Sequence, residues 1–151
     1  MVGYSIGGLA AGITLSEISQ EYLPKQLFLF AAPTNAQYFF KETIKGVGLN
    51  KKVFESMCNL VEKYYRQPIE YFDIRSKGGH FDNMDVHLIY DEMDNVVPFS
   101  MAADMLQTFP KADFVHTRGL GHYRIIAHDE TVAYVTRKLE NSRNLELAKV
   151  G

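Results

Sequence analysis

A single cysteine stands in the 151 residues, so no internal disulfide can form. Cys58 has no companion at the spacing of a metal or redox motif, and a buried structural thiol is its expected state. No apolar run approaches about 18 residues, which excludes a membrane-spanning helix. Basic residues are not in excess. The formal charge is −2, with Lys and Arg spread along the chain, and that leaves no basic footprint for nucleic acid. His80, Asp82, Asp85 and His87 are close enough in sequence to cluster, but no His-Glu-x-x-His signature accompanies them. They read as solvated loop charges, and no metal is expected. Repeats, low-complexity tracts and a signal peptide are also missing. The expected location is the cytoplasm, although any export signal would have been lost with a missing N-terminal part. What is present suits a folded domain: 46% hydrophobic and 13% aromatic residues, in a length that buries roughly 70% of its unfolded surface as one domain.

The hydrophobic pattern alternates between strand and helix. Leu27 to Ala32 is a short continuous apolar run closed by Pro33, the mark of a strand covered on both faces. Val86 to Tyr90 and Phe114 to Thr117 read as two further strands. Helices are expected from Gly8 to about Gln20, from Tyr38 to Ile44, from Asn50 to Arg66, from Ser100 (a candidate N-cap) to Phe109, and from Asp129 to Leu139. The third should bury Val53, Phe54, Met57, Leu60, Val61 and Tyr64, and the last Val132, Val135 and Leu139. Residues 69–82 show no clear period and read as a connection with a short helix. The tail from Glu140 should fray. Such alternation argues an α/β fold with a parallel sheet, where chemistry gathers at the carboxyl ends of the strands.

The segment Gly3-Tyr4-Ser5-Ile6-Gly7 has the form Gly-x-Ser-x-Gly, the nucleophile-elbow pattern. A serine on a sharp strand-to-helix turn needs neighbours with almost no side chain. Gly3 and Gly7 should let strand and helix pass close to Ser5, while Gly8, Ala10, Ala11 and Gly12 let the following helix lie tight. The helix N-terminus would then aim free N–H groups at negative charge forming beside Ser5. Two later segments complete a set: Asp94-Asn95-Val96-Val97-Pro98 after the second clear strand, and Gly119-Leu120-Gly121-His122-Tyr123-Arg124 after the last. Ser5, Asp94 and His122 each lie just past the end of an expected strand.

On these three segments, and their order of serine, acid and histidine, the sequence resembles the α/β-hydrolase family. The resemblance spans nearly the whole chain and corresponds to the C-terminal half of a family member. It implies a partial, doubly wound parallel sheet lacking its N-terminal strands, with residues 1–151 as the C-terminal portion of the domain. A helical, lid-like insertion would occupy about 34–82. The same expectation arises from the chain start, since Met1 and Val2 are too few to form an ordinary buried strand before the elbow. The resemblance also implies Ser5 as nucleophile, His122 as general base, Asp94 as the acid that orients it, and the Ile6 amide as one oxyanion donor. The family's second donor comes from a loop after an earlier strand, which this sequence does not contain.

Each assignment has rivals. Asp91 stands in the same loop as Asp94, which is preferred because the family places its acid directly before the x-Val-Val-Pro segment. His87 and His116 sit in strand patterns and read as sheet or core histidines, whereas His80 and His128 sit in connections and should be exposed. Tyr4, Tyr38 and Phe39 are candidate substrate contacts. The wider aromatic set, with Phe40, Tyr64, Tyr65, Tyr71 and Phe72, serves either an acyl pocket or the core. The expected function is hydrolysis of a small-molecule carboxylic ester or thioester through an acyl-enzyme in the intact protein, without cofactor; residues 1–151 alone, lacking the second oxyanion donor, are expected to be poorly active or inactive. The alternative is a non-catalytic binding or signalling module on a truncated hydrolase scaffold. An uncovered sheet edge would invite self-association.

Overall fold

Leu27, Phe28 and Leu29 are fully buried because their strand is internal, with side chains sent alternately to two covered faces. Four strands, β1 (Val2–Tyr4), β2 (Gln26–Phe30), β3 (Asp85–Asp91) and β4 (Asp113–Thr117), form one sheet in that order. All three pairings are parallel. The computed structural model describes residues 1–150. Helices α1 (Ile6–Leu15), α2 (Ala36–Gly46), α3 (Lys51–Tyr65), α4 (Ser100–Thr108), α5 (Gly121–Arg124) and α6 (Asp129–Val150) lie between and after the strands. Short 3₁₀ turns occupy Gln20–Tyr22, Ile69–Phe72 and Ile74–Phe81.

The strand period of two separates the core into two layers. Leu27, Leu29, Val86, Leu88 and Tyr90 face one side, where Leu9, Ile13, Ile74, Met105 and Phe109 cover them. Phe28, Phe30 and Ile89 face the other, against Ile125 and the half-buried Tyr134 and Val135 of α6. The expected α/β architecture with an insertion between the second and third strands is present.

Several local expectations are corrected. The first helix stops at Leu15 instead of Gln20, and the Ser16 hydroxyl turns back to the Ile13 carbonyl at 2.7 Å. Ser100 does not cap α4. Phe99 holds the N-cap position, and the carbonyls of Pro98 and Phe99 accept from Met101 and Ala102 at 2.9 Å each. No residue of α3 is buried: its apolar stripe is half-covered and runs out into solvent, with Leu60 50% and Tyr64 74% exposed. Cys58, on that helix, is half-buried rather than buried. Instead of ending at Leu139, α6 continues to Val150. It turns Thr131, Tyr134 and Val135 toward the sheet and leaves Val132 and Leu139 nearly half exposed. The anchor is Thr131, whose buried hydroxyl donates to the Ile125 carbonyl at 2.6 Å and so sets the helix rotation. His116 is exposed because β4 is an outer strand, whereas His80 and His128 are half-buried.

Candidate active site

Between β1 and α1 the chain reverses at Ser5, whose φ of 52° and ψ of −133° lie in a sparsely populated region. Such a conformation costs on the order of 1–3 kcal/mol and persists only where the surroundings enforce it. Two contacts enforce it here. The Ser5 amide donates to the Phe30 carbonyl of β2 at 2.8 Å, and the Gly8 amide donates to the Ser5 carbonyl at 2.9 Å. The close approach is made by Gly3 and Gly8: a Cβ on Gly3 would lie 2.6 Å from the Gly8 Cα, and one on Gly8 would lie 2.7 Å from the Ala32 Cβ. Gly7 has a different place from the one expected, since a Cβ there would meet nothing within 4 Å.

The three loops at the carboxyl ends of β1, β3 and β4 bring Ser5, Asp94 and His122 together. The His122 Nδ1–H donates to Asp94 Oδ2 at 2.7 Å, which leaves Nε2 to accept the Ser5 hydroxyl at 2.9 Å. Asp94 and His122 are buried. The other oxygen of Asp94, Oδ1, accepts from the amides of Val96 and Val97 at 2.8 Å each, so the Asn95-Val96-Val97 segment holds the carboxylate in one orientation. Ile6 is the first residue of α1, where amides have no intrahelical acceptor.

Of the other expected residues, Tyr4 packs its ring against His122, with centroids 5.0 Å apart, and donates its hydroxyl to the His122 carbonyl at 3.1 Å. Tyr38 donates to the Val96 carbonyl at 3.1 Å. Burial pushes both phenols up, with the Asp94 charge adding to it, so each remains a neutral donor. Tyr38 and Phe39 line a 280 Å³ cleft with Pro33, Asn95, Val96 and Val97. A second cleft, of 210 Å³, begins at Ile6 and is walled by Leu9, Ala10, Ile13, Ala36 and Phe72. The first takes in Asn95, next to Asp94 in the chain, and the second Ile6, next to Ser5. Tyr64 and Tyr65 lie outside them and are exposed.

The remaining histidines are engaged elsewhere. His87 is buried, stacked on Phe28 with centroids 4.3 Å apart and bonded to the Tyr134 hydroxyl at 2.9 Å. Its burial lowers its pKa, against the opposing pull of Asp113. His116 meets Glu92 at 3.0 Å, and His80 Nε2 donates to the Ile18 carbonyl at 3.0 Å. Among the described residues, no three His, Cys, Asp or Glu side chains are grouped as a metal site. Asp91, the rival acid, is not the carboxylate that His122 meets; it accepts instead from Met93 and from the segment leading to His122. Burial opposes its ionisation, but the Thr117 hydroxyl and the amides of Gly121, Leu120 and Met93 outweigh that and hold its carboxyl down at about 2.

No protein-family model matches this sequence, and no curated protein matches it. Solved structures do. An α/β-hydrolase enzyme from the metagenome of lagoon sediments at Mar Chica, Morocco, superposes with a TM-score of 0.60 at 18% identity, over 95% of this chain and 61% of its own. The esterase domain of a Rhodothermus marinus protein gives 0.57 at 14% identity, over 91% of this chain and 56% of its own. A bacterial membrane phospholipase A gives 0.61 at 15% identity, over 95% and 57%. The chain thus spans about 56–61% of the length of these structures. Its parallel sheet, its flanking helices and these superpositions together establish that the chain has the α/β-hydrolase fold.

Proposed function

We propose that this chain carries the nucleophile, base and acid of a serine hydrolase that cleaves a carboxylic ester or thioester. The observation that carries the reading is the continuous hydrogen-bonded line from the Ser5 hydroxyl through His122 to Asp94, at 2.9 and 2.7 Å. The hydrolase fold and the esterase and lipase neighbours support the same reaction class.

In this reading Ser5 Oγ attacks the substrate carbonyl carbon as His122 Nε2 takes the hydroxyl proton. Asp94 stabilises the imidazolium so formed. The Ile6 amide donates to the oxyanion of the tetrahedral intermediate, a contribution of about 3 kcal/mol for one such donor. Collapse of the intermediate breaks the bond to the alcohol or thiol, which leaves with the proton returned by His122. Water, deprotonated by the same imidazole, then releases the acid from Ser5. Tyr4 supports His122 from behind, and the clefts beside Tyr38 and Phe39 and beside Ile6 receive the substrate's apolar parts. The α2–α3 insertion serves as the lid over them.

A fluorophosphonate probe tests the reading. The wild-type chain should label at one site, Ser5→Ala should not label, and His122→Ala should label at least about 10³-fold more slowly. Absence of labelling in the wild-type chain and in a longer chain containing it would favour the other reading, a binding module on a hydrolase scaffold.

A further inference from the structure

Asp91 is fully buried at the end of β3, three residues before Asp94, and has no place in the proton path. Its two oxygens nevertheless accept five hydrogen bonds. Oδ1 takes the amides of Met93 at 2.9 Å, Gly121 at 2.9 Å and Gly119 at 3.3 Å. Oδ2 takes the Thr117 hydroxyl at 2.7 Å and the Leu120 amide at 3.0 Å. A carboxylate offers about four lone-pair positions, so both oxygens are saturated. One donor belongs to the loop leading to Asp94; the other four belong to the end of β4 and the turn leading to His122. Gly119 and Gly121 have φ of 93° and 65°, the left-handed geometry that turns successive amides inward around an anion. Register supplies the remaining donor, because Asp91 and Thr117 are paired positions of β3 and β4.

We infer that Asp91 is the positioning residue of the site: it ties the acid loop to the histidine loop, and so sets the Asp94–His122 separation. The inference rests on the triad reading above and adds a residue to it. Asp94 and His122 come from loops on different strands, and the described links between those loops run largely through this one carboxylate, together with the Glu92 amide on the Thr117 carbonyl at 2.9 Å. A replacement that keeps the shape but loses the charge gives up acceptors for amides that point only inward. Asp91→Asn must present an NH₂ group to at least one N–H or O–H donor, which lets the glycine turn relax. A shift of about 1 Å in a catalytic group costs on the order of 10²-fold in rate.

The experiment uses two readouts on folded protein. One is the fluorophosphonate labelling rate. The other is the downfield proton resonance of an imidazole N–H held short against a carboxylate. Wild type should show the resonance, and Ser5→Ala should keep it while losing the label. Asp91→Asn should weaken or shift the resonance and slow labelling about 10- to 100-fold. Thr117→Val, which removes one donor and leaves the carboxylate, should give a smaller loss in the same direction. If Asp91→Asn lowers the melting temperature but leaves both the resonance and the labelling rate per folded molecule unchanged, Asp91 is merely structural and the inference fails. If wild type shows the resonance but neither it nor a longer chain containing it labels, the hydrolase reading fails, and comparison of the resonance in wild type and Asp91→Asn still decides this one. Absence of the resonance in wild type overturns the inference.

Discussion

At the scale of single residues, Asp91 at the end of β3 and Asp94 in the loop after it illustrate how environment divides labour between identical side chains. Asp94 spends one oxygen on two amides and keeps the other for His122, whereas Asp91 spends both on neutral donors. That difference has a pH signature. The Asp91 carboxyl is held at about 2 in the folded chain, below the ordinary carboxylate value of about 3.9 that it regains on unfolding. A depressed acid stabilises the fold in its ionised form. Its contribution is complete above about pH 5 and is lost as pH falls from about 4 through about 2. It amounts to about 2–3 kcal/mol. Denaturation midpoints of wild type and Asp91→Asn, followed from pH 6 to pH 2, should therefore differ most at pH 6 and converge toward pH 2. A constant difference across that range would refute the linkage. Comparing the two proteins removes the background from other groups, including His87, whose lowered pKa makes the fold less stable as pH falls below about 6.5.

At the scale of elements, burial and apolarity part company in the insertion. The α3 stripe reads as a buried face in sequence, yet Leu60 is 50% exposed, while Ile74, in an irregular 3₁₀ turn with no clear period, is fully buried against the sheet. Leu60→Lys should change stability by no more than about 0.5 kcal/mol, the range for surface substitutions. Ile74→Ala should cost about 2–5 kcal/mol through the cavity it leaves. Urea midpoints of the two variants check the contrast, and a large loss for Leu60→Lys would mean that α3 is covered. The same contrast explains what was legible beforehand. The runs at Leu27 to Ala32 and Val86 to Tyr90 announce strands because burial on both faces demands continuous apolarity. Ser5, Asp94 and His122 could be picked out because each sits in a short local pattern. The role inferred for Asp91 could not, since it depends on the β3–β4 register and on the inward rotation of the glycine-turn amides, neither of which leaves a mark in sequence. The direction of the α6 stripe is hidden in sequence for a related reason: its rotation follows from one hydroxyl, Thr131, reaching the Ile125 carbonyl.

At the scale of the whole molecule, the sheet places Ser5 beside one of its two bare edges. β1 is one of the two outer strands and pairs, among the described residues, only with β2. Met1 and Val2 are 50% and 52% exposed there. An outer strand with unpaired backbone groups and apolar side chains is a template for another strand, and natural edges are usually blunted by lysine, proline or a bulge. β1, Val-Gly-Tyr, carries none of these. The expected consequence is self-association of the 151-residue chain through that edge. Sedimentation velocity should show a species heavier than the 17.2 kDa monomer that grows with concentration. Val2→Lys, which adds charge to the edge without entering the core, should shift the distribution toward monomer. Leu60→Lys, which adds the same charge on α3, separates an edge effect from a general gain in solubility: it should leave association unchanged. A wild-type chain that stays monomeric across the accessible concentrations, or one that both lysines dissociate equally, would remove β1 as the associating surface.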